Sequence, residues 1–206
     1  MDEPHMLEEM AQKLVEAERT CIPIPHLTSD NPSESDAYRI QDLVIGLKGG
    51  RVRGFKIGFA SRVMREQMGI FEPNYGQLTE EMEVESEQES LSLRKLIHPR
   101  VEAELAVLVE RDLCGPGIRK TDVISAVRWV FAALEVVDSR FIDYRFCSPD
   151  NIADNSSAAR YVLGAGVPLE KIGDGRLLGV LLWNDGRVVD NGIGADAMGD
   201  PLNAHV

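Results

Sequence analysis

The chain has 206 residues, of which 44% are apolar and 27% are charged, and it carries a formal net charge of −12 at pH 7. This length suits one domain, or one large and one small domain, with enough chain to bury a core. The acidic balance argues against nucleic acid and anionic membranes as partners, because both require a basic protein surface.

Three cysteines, Cys21, Cys114 and Cys147, are widely spaced along the chain and form no CxxC pair. Such a pattern is typical of a reducing compartment and favours neither a disulfide scaffold nor a zinc site. The first residues lack the apolar segment of a secretory signal, and no apolar run approaches the roughly 18 residues that a transmembrane helix needs. We therefore expect a soluble, cytoplasmic protein.

The first part of the chain is predicted to be helical. Apolar residues recur at helical spacing over 6–19, with charged residues on the opposite side. A second amphipathic stripe runs over 36–48, where Ser33 or Ser35 can cap the amino end and a glycine pair ends the helix. We assign residues 1–50 to an N-terminal helical portion.

Residues 51–206 form the second part, in which strand patterns dominate. Strands are predicted over 51–61, 99–109, 131–140 and 159–166, and as a hairpin about Asp185 and Gly186. Short helices are predicted from Ser61 to Gly69 and from Thr121 to about Val127, each opened by a hydroxyl cap. Two helices followed by a strand-rich remainder indicate an α+β fold with a mostly β body.

Two polar segments are interpreted from their composition. Residues 80–89 contain six glutamates, and a charge run of this kind is usually a solvated loop. Residues 148–158 are rich in turn-forming polar residues and are also predicted to be a loop. By contrast, Met64 and Met68 are apolar residues one helical turn apart and are expected to lie in the core.

The strand pattern in "HPRVEAELAVLVE", residues 98–110, contains a pair of carboxylates that needs a physical explanation. Glu102 and Glu104 lie two positions apart, so they project from the same face of a strand at about 6–7 Å. Two anions at that separation repel each other, and neither can be buried without a counter-charge. Glu135 interrupts the next apolar strand in the same way.

A divalent cation bound by Glu102, Glu104 and Glu135 would remove this repulsion. Mg²⁺ prefers oxygen ligands, and three carboxylates would leave about three coordination positions for water or substrate. The alternative is an ordinary solvent-exposed face of a half-buried antiparallel strand.

Two further side chains are candidates for chemistry. Lys56 lies between Gly54 and Gly58, which would let a ligand approach the backbone, and it can act as an acid, a base or an anion clamp. The alternative is an exposed lysine on the wet face of a strand. In "ADNSSA", residues 153–158, Ser157 and its neighbours suit either a polar substrate group or a helix cap.

Taken in chain order, the segments "GFKIGFAS", "EPNYGQL", "HPRVEAELAVLV", "ALEVVDSR", "IADNSSAARYVLG" and "MGDPLNA" form an ordered series. From near residue 6 to residue 204 the chain resembles the fumarylacetoacetate-hydrolase-like superfamily, in its branch of 2-hydroxypenta-2,4-dienoate hydratases and 4-oxalocrotonate decarboxylases. The resemblance implies an N-terminal helical portion followed by a mixed, distorted β-barrel or β-roll body that binds metal. It also implies a role in the catabolism of aromatic compounds after ring cleavage.

The resemblance further implies roles for particular residues. The implied metal ligands, for Mg²⁺ or Mn²⁺, are Glu102, Glu104 and Glu135, and the implied catalytic positions are Lys56, Asn74 and Ser157. The implied substrate is a short 2-oxo or 2-hydroxy-dienoic acid. A hydratase, the first expectation, would add water to give a 4-hydroxy-2-oxo acid, whereas a decarboxylase would remove carbon dioxide from 2-oxo-3-hexenedioate.

Two segments depart from the pattern of the family. Hydratases of this branch commonly carry aspartate where this chain has Asn74, and an amide cannot take up a proton at neutral pH, which keeps the decarboxylase alternative open. The segment "GDPLN" has Asp200 where the family usually has histidine, and family members continue beyond it with a helix and several strands. We therefore expect an incomplete set of C-terminal strands. Either the chain is a truncated form, or its open edges are covered in a homo-oligomer or in a hetero-complex with a homologous hydratase or decarboxylase. A non-catalytic partner subunit is a further alternative, and a hydrolase that cleaves a carbon–carbon bond, an activity also found in this superfamily, is a weaker one.

Overall fold

The computed structural model describes residues 3–27, 32–85 and 90–205. These residues contain the helices α1 (Glu3–Thr20), α2 (Glu34–Lys48), α3 (Arg62–Met68), α4 (Lys120–Ala126) and α5 (Ser148–Ala153). The strands are β1 (Val52–Gly58), β2 (Asn74–Thr79), β3 (Arg100–Val109), β4 (Val127–Val137), β5 (Ala158–Pro168), β6 (Gly179–Asn184) and β7 (Arg187–Ile193). The described chain therefore mixes helix and sheet, in agreement with the predicted class. None of the described helices is long and apolar enough to cross a membrane.

The strands form three antiparallel sheets. β1 pairs with β2, the strands β3, β4 and β5 form a three-stranded sheet in that order, and β6 pairs with β7. Within the described residues these sheets do not close into one barrel. An ion pair between β1 and β4 marks the place where the first sheet meets the second, and the candidate site lies there.

The two N-terminal helices pack into one hydrophobic cluster that also includes α5. Its buried members include Leu14 of α1, Ile40 of α2 and Ile152 of α5. Ser33 caps α2, and Gly49 ends it with a φ of 76°, a left-handed value that favours glycine. Both predicted helices are thus confirmed, and they are joined to the rest of the chain by apolar packing.

The prediction of a loop over 148–158 is wrong. This segment forms α5 and, directly after it, a buried turn. The fully buried carboxylate of Asp150 accepts hydrogen bonds from the backbone N–H groups of Cys147 and Leu27. The polar side chains therefore bind backbone groups inside the protein, and a polar composition does not signify solvent exposure here.

The helix α3 follows β1 as predicted, because Ser61 caps it and Gly69 ends it with a φ of 65°. Met64 and Met68, however, are 45% and 38% exposed, so the expectation that they lie in the core is wrong. None of the seven residues of α3 is buried. Apolar spacing over two turns does not decide whether another element covers that side of a helix.

The helix α4 starts earlier than predicted, and Thr121 is not its cap. The carboxylate of Asp122 instead accepts a hydrogen bond of 2.9 Å from the backbone N–H of Arg119. This bond gives the backbone N–H of Arg119 an acceptor that the helix itself does not provide. Arg119 therefore occupies the N-cap position. The helix then buries Val123 against the beginning of β4.

The acidic segment 80–89 is only partly a solvated loop, which corrects the prediction for its first half. Met82 is 2% exposed, and the backbone N–H of Val84 donates to the carbonyl oxygen of Tyr161 at 2.8 Å. The described glutamates of this segment remain exposed, as predicted. Residues 86–89 lie outside the described residues.

The strands β6 and β7 form the predicted hairpin. Its turn places Asp185 at a φ of 49° and Gly186 at a φ of 75°. Positive φ values at both central positions give a turn whose twist matches that of the flanking strands. The apolar side chains of Leu181 and Trp183 on this hairpin remain 58% and 59% exposed.

Candidate metal centre

The three predicted carboxylates meet on one face of the central sheet. Glu102 of β3 lies directly opposite Glu135 of β4 in the strand register, and Glu104 lies two residues further along β3. One oxygen atom from each residue lies within 4.8 Å of the others. Glu135 is 5% exposed, whereas Glu102 and Glu104 are open to solvent. The structure thus brings the three side chains together, and their role as metal ligands stays a prediction.

A lysine on β1 supplies a counter-charge to this cluster. Lys56 Nζ lies 2.8 Å from Glu135 Oε2 and donates to the carbonyl oxygen of Ser156 at 3.2 Å. The lysine side chain is only 11% exposed, which rules out the alternative of a solvated surface lysine. Gly76 is its register partner on β2, and a Cβ there would lie 2.5 Å from the backbone carbonyl oxygen of Asn155 and 3.2 Å from the lysine Cγ. Glycine at this position therefore lets β2 approach the turn that contains Asn155.

The charges in the cluster do not balance, because three carboxylates face one ammonium group. Burial acts to lower the pKa of Lys56, but the neighbouring carboxylates, Glu135 first, outweigh burial and raise it. Although part of Glu104 is open to solvent, burial of its carboxyl group, opposed by Lys56 and reinforced by the other two glutamates, raises its pKa to about 7. Burial also raises the pKa of Glu135, against the attraction of Lys56. The site therefore carries excess negative charge that a cation would stabilise.

One oxygen atom in the cluster lacks a partner. Glu135 Oε1 is buried and has no hydrogen bond among the described residues, while Oε2 is held by Lys56. An unpaired buried carboxylate oxygen is costly, and a bound cation would supply the missing partner. Oxygen donors from three carboxylates suit a hard divalent ion such as Mg²⁺ or Mn²⁺. The residues present therefore fit the cofactor that the sequence predicts.

Asn74 begins β2 opposite Gly58 and is 5% exposed. Its Oδ1 accepts a hydrogen bond from Ser156 Oγ at 2.9 Å, and its Nδ2 donates to Asn151 Oδ1 at 2.8 Å. Both ends of the amide are thus engaged inside the protein. A neutral amide held in this way orients its neighbours and does not remove protons.

A left-handed turn that includes Ser157 is tied to the cluster through Lys56. Asn155, Ser156 and Ser157 have φ values of 54°, 51° and 58°, which cost residues other than glycine roughly 1–2 kcal/mol each. The turn aims the carbonyl oxygen of Ser156 at Lys56. It also places the Ser157 hydroxyl where Asn151 Nδ2 donates to it at 3.2 Å. Backbone strain of this kind persists where surrounding contacts hold it in place.

Two residues that were not singled out from the sequence support this turn. Arg140, which is 4% exposed, donates to the carboxylate of Asp154 and, at 2.6 Å, to the carbonyl oxygen of Asp138. Burial raises the pKa of Asp154 to about 6 against the pull of the guanidinium, so this carboxylate is ionised at pH 7. Asn151 is the second residue, because its Nδ2 donates to Ser157 Oγ. The signal in the sequence was weak, because each is a single polar residue in a segment that resembles a turn or a strand end.

Asp200 and His98 lie outside the carboxylate cluster. Asp200 pairs with Lys120 and accepts a hydrogen bond from the backbone N–H of Leu202 at 3.0 Å. These side chains border a cleft of about 130 Å³ next to α4, away from the carboxylates. The backbone N–H of His98 donates to Asp138, and His98 Nε2 has no hydrogen-bond partner among the described residues.

Several known proteins are similar to this chain in sequence or structure, although no family model matches it. The chain is 36% identical to a 4-oxalocrotonate decarboxylase of Pseudomonas putida, over 95% of this chain and 75% of that protein. It is 35% identical to a 2-hydroxypent-2,4-dienoate hydratase of Pseudomonas putida, over 95% and 89% of the two chains. It is 38% identical to a 2-keto-4-pentenoate hydratase of Burkholderia vietnamiensis, over 99% of this chain and 79% of that protein.

A solved structure is also similar to this chain, both in fold and in sequence. The 4-oxalocrotonate decarboxylase from Pseudomonas putida G7, complexed with magnesium and adipate, matches with a TM-score of 0.90 and 33% sequence identity, over 98% of this chain and 78% of that one. The fold and the clustered carboxylates define a protein of mixed helix and sheet with an acidic candidate metal centre between two sheets. On the strength of these relatives, the chain belongs to the family of 2-hydroxypentadienoate hydratases and 4-oxalocrotonate decarboxylases. The branch that the sequence motifs indicated is confirmed.

Proposed function

We propose that this chain is a divalent-metal-dependent lyase of aromatic catabolism, a hydratase that converts 2-hydroxypenta-2,4-dienoate-like acids into 4-hydroxy-2-oxo acids. The observation that carries the proposal is the convergence of three carboxylates around the ammonium group of Lys56. Relatives that are named for this reaction, and a related structure complexed with magnesium, support it.

Glu102, Glu104 and Glu135 would hold the Mg²⁺ or Mn²⁺ ion. When bound, such an ion supplies Lewis-acid stabilisation for the negative charge that develops on the oxygen atoms of a 2-oxo acid. The buried Oε1 of Glu135 supports this assignment, because it lacks a hydrogen bond among the described residues.

Lys56 holds a proton beside the cluster. Its raised pKa keeps the ammonium group charged at neutral pH, so it can bind the substrate carboxylate. Because the raised pKa also makes it a weaker acid, it would donate a proton only to a strongly basic atom that develops on the substrate. Glu135 Oε2, 2.8 Å from Lys56 Nζ, is placed to exchange that proton. Asn74 accepts a hydrogen bond from Ser156, whose carbonyl oxygen accepts from Lys56, and Ser157 follows Ser156 in the chain; both would orient polar groups of the substrate.

The decarboxylase alternative rests on Asn74. Addition of water at C4 requires a group that removes a proton from water, and the amide of Asn74 is engaged at both ends by Ser156 and Asn151. Loss of carbon dioxide from 2-oxo-3-hexenedioate does not require this base. Relatives named as 4-oxalocrotonate decarboxylases support this second candidate.

Ultraviolet absorbance distinguishes the two activities. The purified protein is mixed with 2-hydroxypenta-2,4-dienoate or with 2-oxo-3-hexenedioate, first with Mg²⁺ and then with a chelator. Metal-dependent consumption of the first compound identifies a hydratase, and metal-dependent consumption of the second identifies a decarboxylase. If neither compound is consumed while Mg²⁺ is bound, the result contradicts both activities and favours a non-catalytic partner subunit.

Replacing one carboxylate tests the metal assignment. Glu104→Gln should weaken Mg²⁺ binding and reduce turnover by roughly 100-fold or more, since even changes to groups behind the ligands of metal sites cost 10- to 100-fold. Calorimetric titration with Mg²⁺ and the absorbance assay measure the two effects. Glu110→Gln is the matched control, because Glu110 is exposed and lies 3.8 Å from Arg128 at the surface. Unchanged Mg²⁺ binding in Glu104→Gln would contradict the assignment.

We also propose that the chain works in the cytoplasm as a homo-oligomer, or in a hetero-complex with a homologous hydratase or decarboxylase. Val101 and Leu134 lie on the face of the central sheet opposite the carboxylates and are 50% and 40% exposed, which supports a covering partner. Residues 1–50 are proposed as a helical portion and 51–206 as a distorted β-roll or barrel body. Size-exclusion chromatography with light scattering tests the assembly, and a stable monomer would count against it.

A further inference from the structure

Four buried polar side chains form a hydrogen-bond chain that runs in one direction. Ser156 Oγ donates to Asn74 Oδ1 at 2.9 Å, and Asn74 Nδ2 donates to Asn151 Oδ1 at 2.8 Å. Asn151 Nδ2 then donates to Ser157 Oγ at 3.2 Å. Each of the four residues is 5% exposed or less. Because every donor points to the next residue, the chain begins at one serine hydroxyl and ends at the other.

The Ser157 hydroxyl is the end of this chain, and its hydrogen is still available. Its oxygen accepts from Asn151, and no described residue accepts the hydroxyl hydrogen. A buried hydroxyl gains stability when its hydrogen meets an acceptor. An oxygen atom of a bound ligand would be such an acceptor.

The backbone ties the turn that carries this hydroxyl to the candidate metal centre. The carbonyl oxygen of the preceding residue, Ser156, accepts from Lys56 Nζ at 3.2 Å, and the same Nζ lies 2.8 Å from Glu135 Oε2. On the other side, the backbone N–H of Asp138 donates to the carbonyl oxygen of Ser157 at 2.8 Å. The turn is therefore fixed both to the lysine and to the end of β4.

We propose that the amide of Asn74, acting through Asn151, fixes Ser157 as a hydrogen-bond donor to a ligand oxygen, and that residue 74 thereby selects the ligand. The ligand class is an oxo acid with an acceptor oxygen, such as a carboxylate, at the Ser157 position. This inference rests on the proposed function, because it places that acid at the same metal centre. Asn74 and Asn151 are positioning residues, whereas Ser157 contacts the ligand.

The direction of the hydrogen-bond chain depends on which donor and acceptor atoms residue 74 has. An amide has one donor end and one acceptor end, so it passes the direction of the chain from Ser156 to Asn151. An ionised carboxylate has only acceptors, so Asn151 would turn its Nδ2 towards residue 74 and its Oδ1 towards Ser157. Ser157 would then donate to Asn151 and offer the ligand only lone pairs.

A double-mutant cycle tests the inference with the full chain. Adipate is titrated calorimetrically into the Mg²⁺-loaded protein and into its Ser157→Ala, Asn74→Asp and doubly substituted variants. Ser157→Ala should weaken adipate binding by roughly 10- to 100-fold, the usual effect of losing a hydrogen bond to a charged group. The double variant should bind no more weakly than Ser157→Ala alone, because residue 74 acts through Ser157. Asn191→Asp, which adds the same charge at an exposed position of β7, is the control and should bind adipate like the unsubstituted chain.

Two results of this binding experiment would overturn the inference. Unchanged adipate affinity in Ser157→Ala would show that the hydroxyl does not contact the ligand. Additive losses from Ser157→Ala and Asn74→Asp would show that the new carboxylate acts by charge repulsion alone. Mg²⁺ is titrated first in every variant, and failure of the unsubstituted chain to bind Mg²⁺ would overturn the proposed function instead.

A neutron diffraction structure of the ligand-free chain provides a second test that needs neither metal nor adipate. The expected deuterium positions are on Asn151 Nδ2, facing Ser157 Oγ, and on Asn74 Nδ2, facing Asn151 Oδ1. A deuterium on Ser157 Oγ that points at Asn151 would overturn the assigned direction.

Discussion

At the site, Lys56 and a divalent ion would share the same three carboxylates. Lys56 Nζ lies 2.8 Å from Glu135 Oε2, and both side chains are nearly buried, with 11% and 7% exposed. Without metal, the lysine is the counter-charge that makes the buried carboxylate tolerable. With metal, positive charge from two sources would meet the three carboxylates, which explains why a site with one lysine needs three glutamates.

Removing the lysine should therefore destabilise the metal-free protein more than the metal-loaded protein. In a chelating buffer, Lys56→Met should lower the free energy of unfolding by about 3 kcal/mol, because it leaves a buried carboxylate uncompensated. Saturating Mg²⁺ should restore most of this loss. Urea unfolding with and without Mg²⁺ measures both values.

The matched control for this experiment is Lys48→Met. Lys48 pairs with Glu18 at the same distance of 2.8 Å, but the two side chains are 23% and 27% exposed. A pair that is more open to solvent contributes less, about 1 kcal/mol or below. Equal losses in the two variants, or no recovery of Lys56→Met with Mg²⁺, would contradict the role of Lys56 as a stand-in cation.

The affinity for Mg²⁺ should rise with pH. The metal-free Glu104 has a pKa of about 7, since burial and the other two glutamates outweigh Lys56. Protons compete with the metal below this value, so the dissociation constant for Mg²⁺ should fall about tenfold between pH 6 and pH 8. Calorimetry in buffers of different ionisation enthalpy should also show about half a proton released per Mg²⁺ at pH 7. A dissociation constant that does not change with pH would mean that Glu104 is already ionised or is not a ligand.

Among the secondary structure elements, β1 contributes two residues to the site, a lysine and a glycine. Lys56 reaches the central sheet, whereas Gly58 lies against the polar turn after α5. A Cβ at Gly58 would overlap Asn74 Oδ1 and Ser156 Oγ, and a Cβ at Gly54 would meet nothing within 4 Å. The glycine next to the hydrogen-bond chain is therefore required by close approach of polar side chains.

The two glycines of β1 provide a matched pair of substitutions. Gly58→Ala should destabilise the protein by roughly 1–3 kcal/mol, because overpacking pushes buried groups apart. Gly54→Ala should be neutral or slightly stabilising, because it restricts the unfolded chain and meets open space. Thermal and urea unfolding measure both effects. Similar stability of the two variants would contradict the close approach at Gly58.

On the scale of the whole molecule, one hydrophobic cluster joins the N-terminal helices to later parts of the chain. Leu14 and Ile40 pack with Phe141 and Ile152, all of which are 1% exposed or less. Gln41 adds polar links, since its Nε2 donates to the carbonyl oxygens of Tyr75 and Ile152. The boundary expected at residue 50 is thus crossed by buried apolar contacts.

The chain should therefore unfold in a single step. Trp129 and Trp183 report on the strand-rich part, and far-ultraviolet circular dichroism reports chiefly on α1 and α2 as the long helices. The two signals should give coincident urea transitions, because contacts that cross the boundary couple the parts. Two separated midpoints would instead show that the helical portion folds independently.

Much of the local structure follows from the sequence. Capping residues such as Ser33 and Ser61, and glycines that accept positive φ, determine where helices start and stop. The alternation around Glu102 and Glu104 places both carboxylates on one face, because the period of a strand is two. These features depend only on neighbours in the chain, so their physical causes can be recognised without a fold.

The tertiary structure decided which of these residues meet and which are buried. Lys56 pairs with Glu135 across 79 positions because two separate sheets come into contact, and no local pattern encodes that contact. The polar segment after Cys147 is buried because its side chains bind backbone groups of distant parts of the chain, whereas Met64 and Met68 are exposed because no described element covers them. Burial depends on the partner surface as well as on a residue's own polarity, and for that reason the hydrogen-bond chain from Ser156 to Ser157 became visible only in three dimensions.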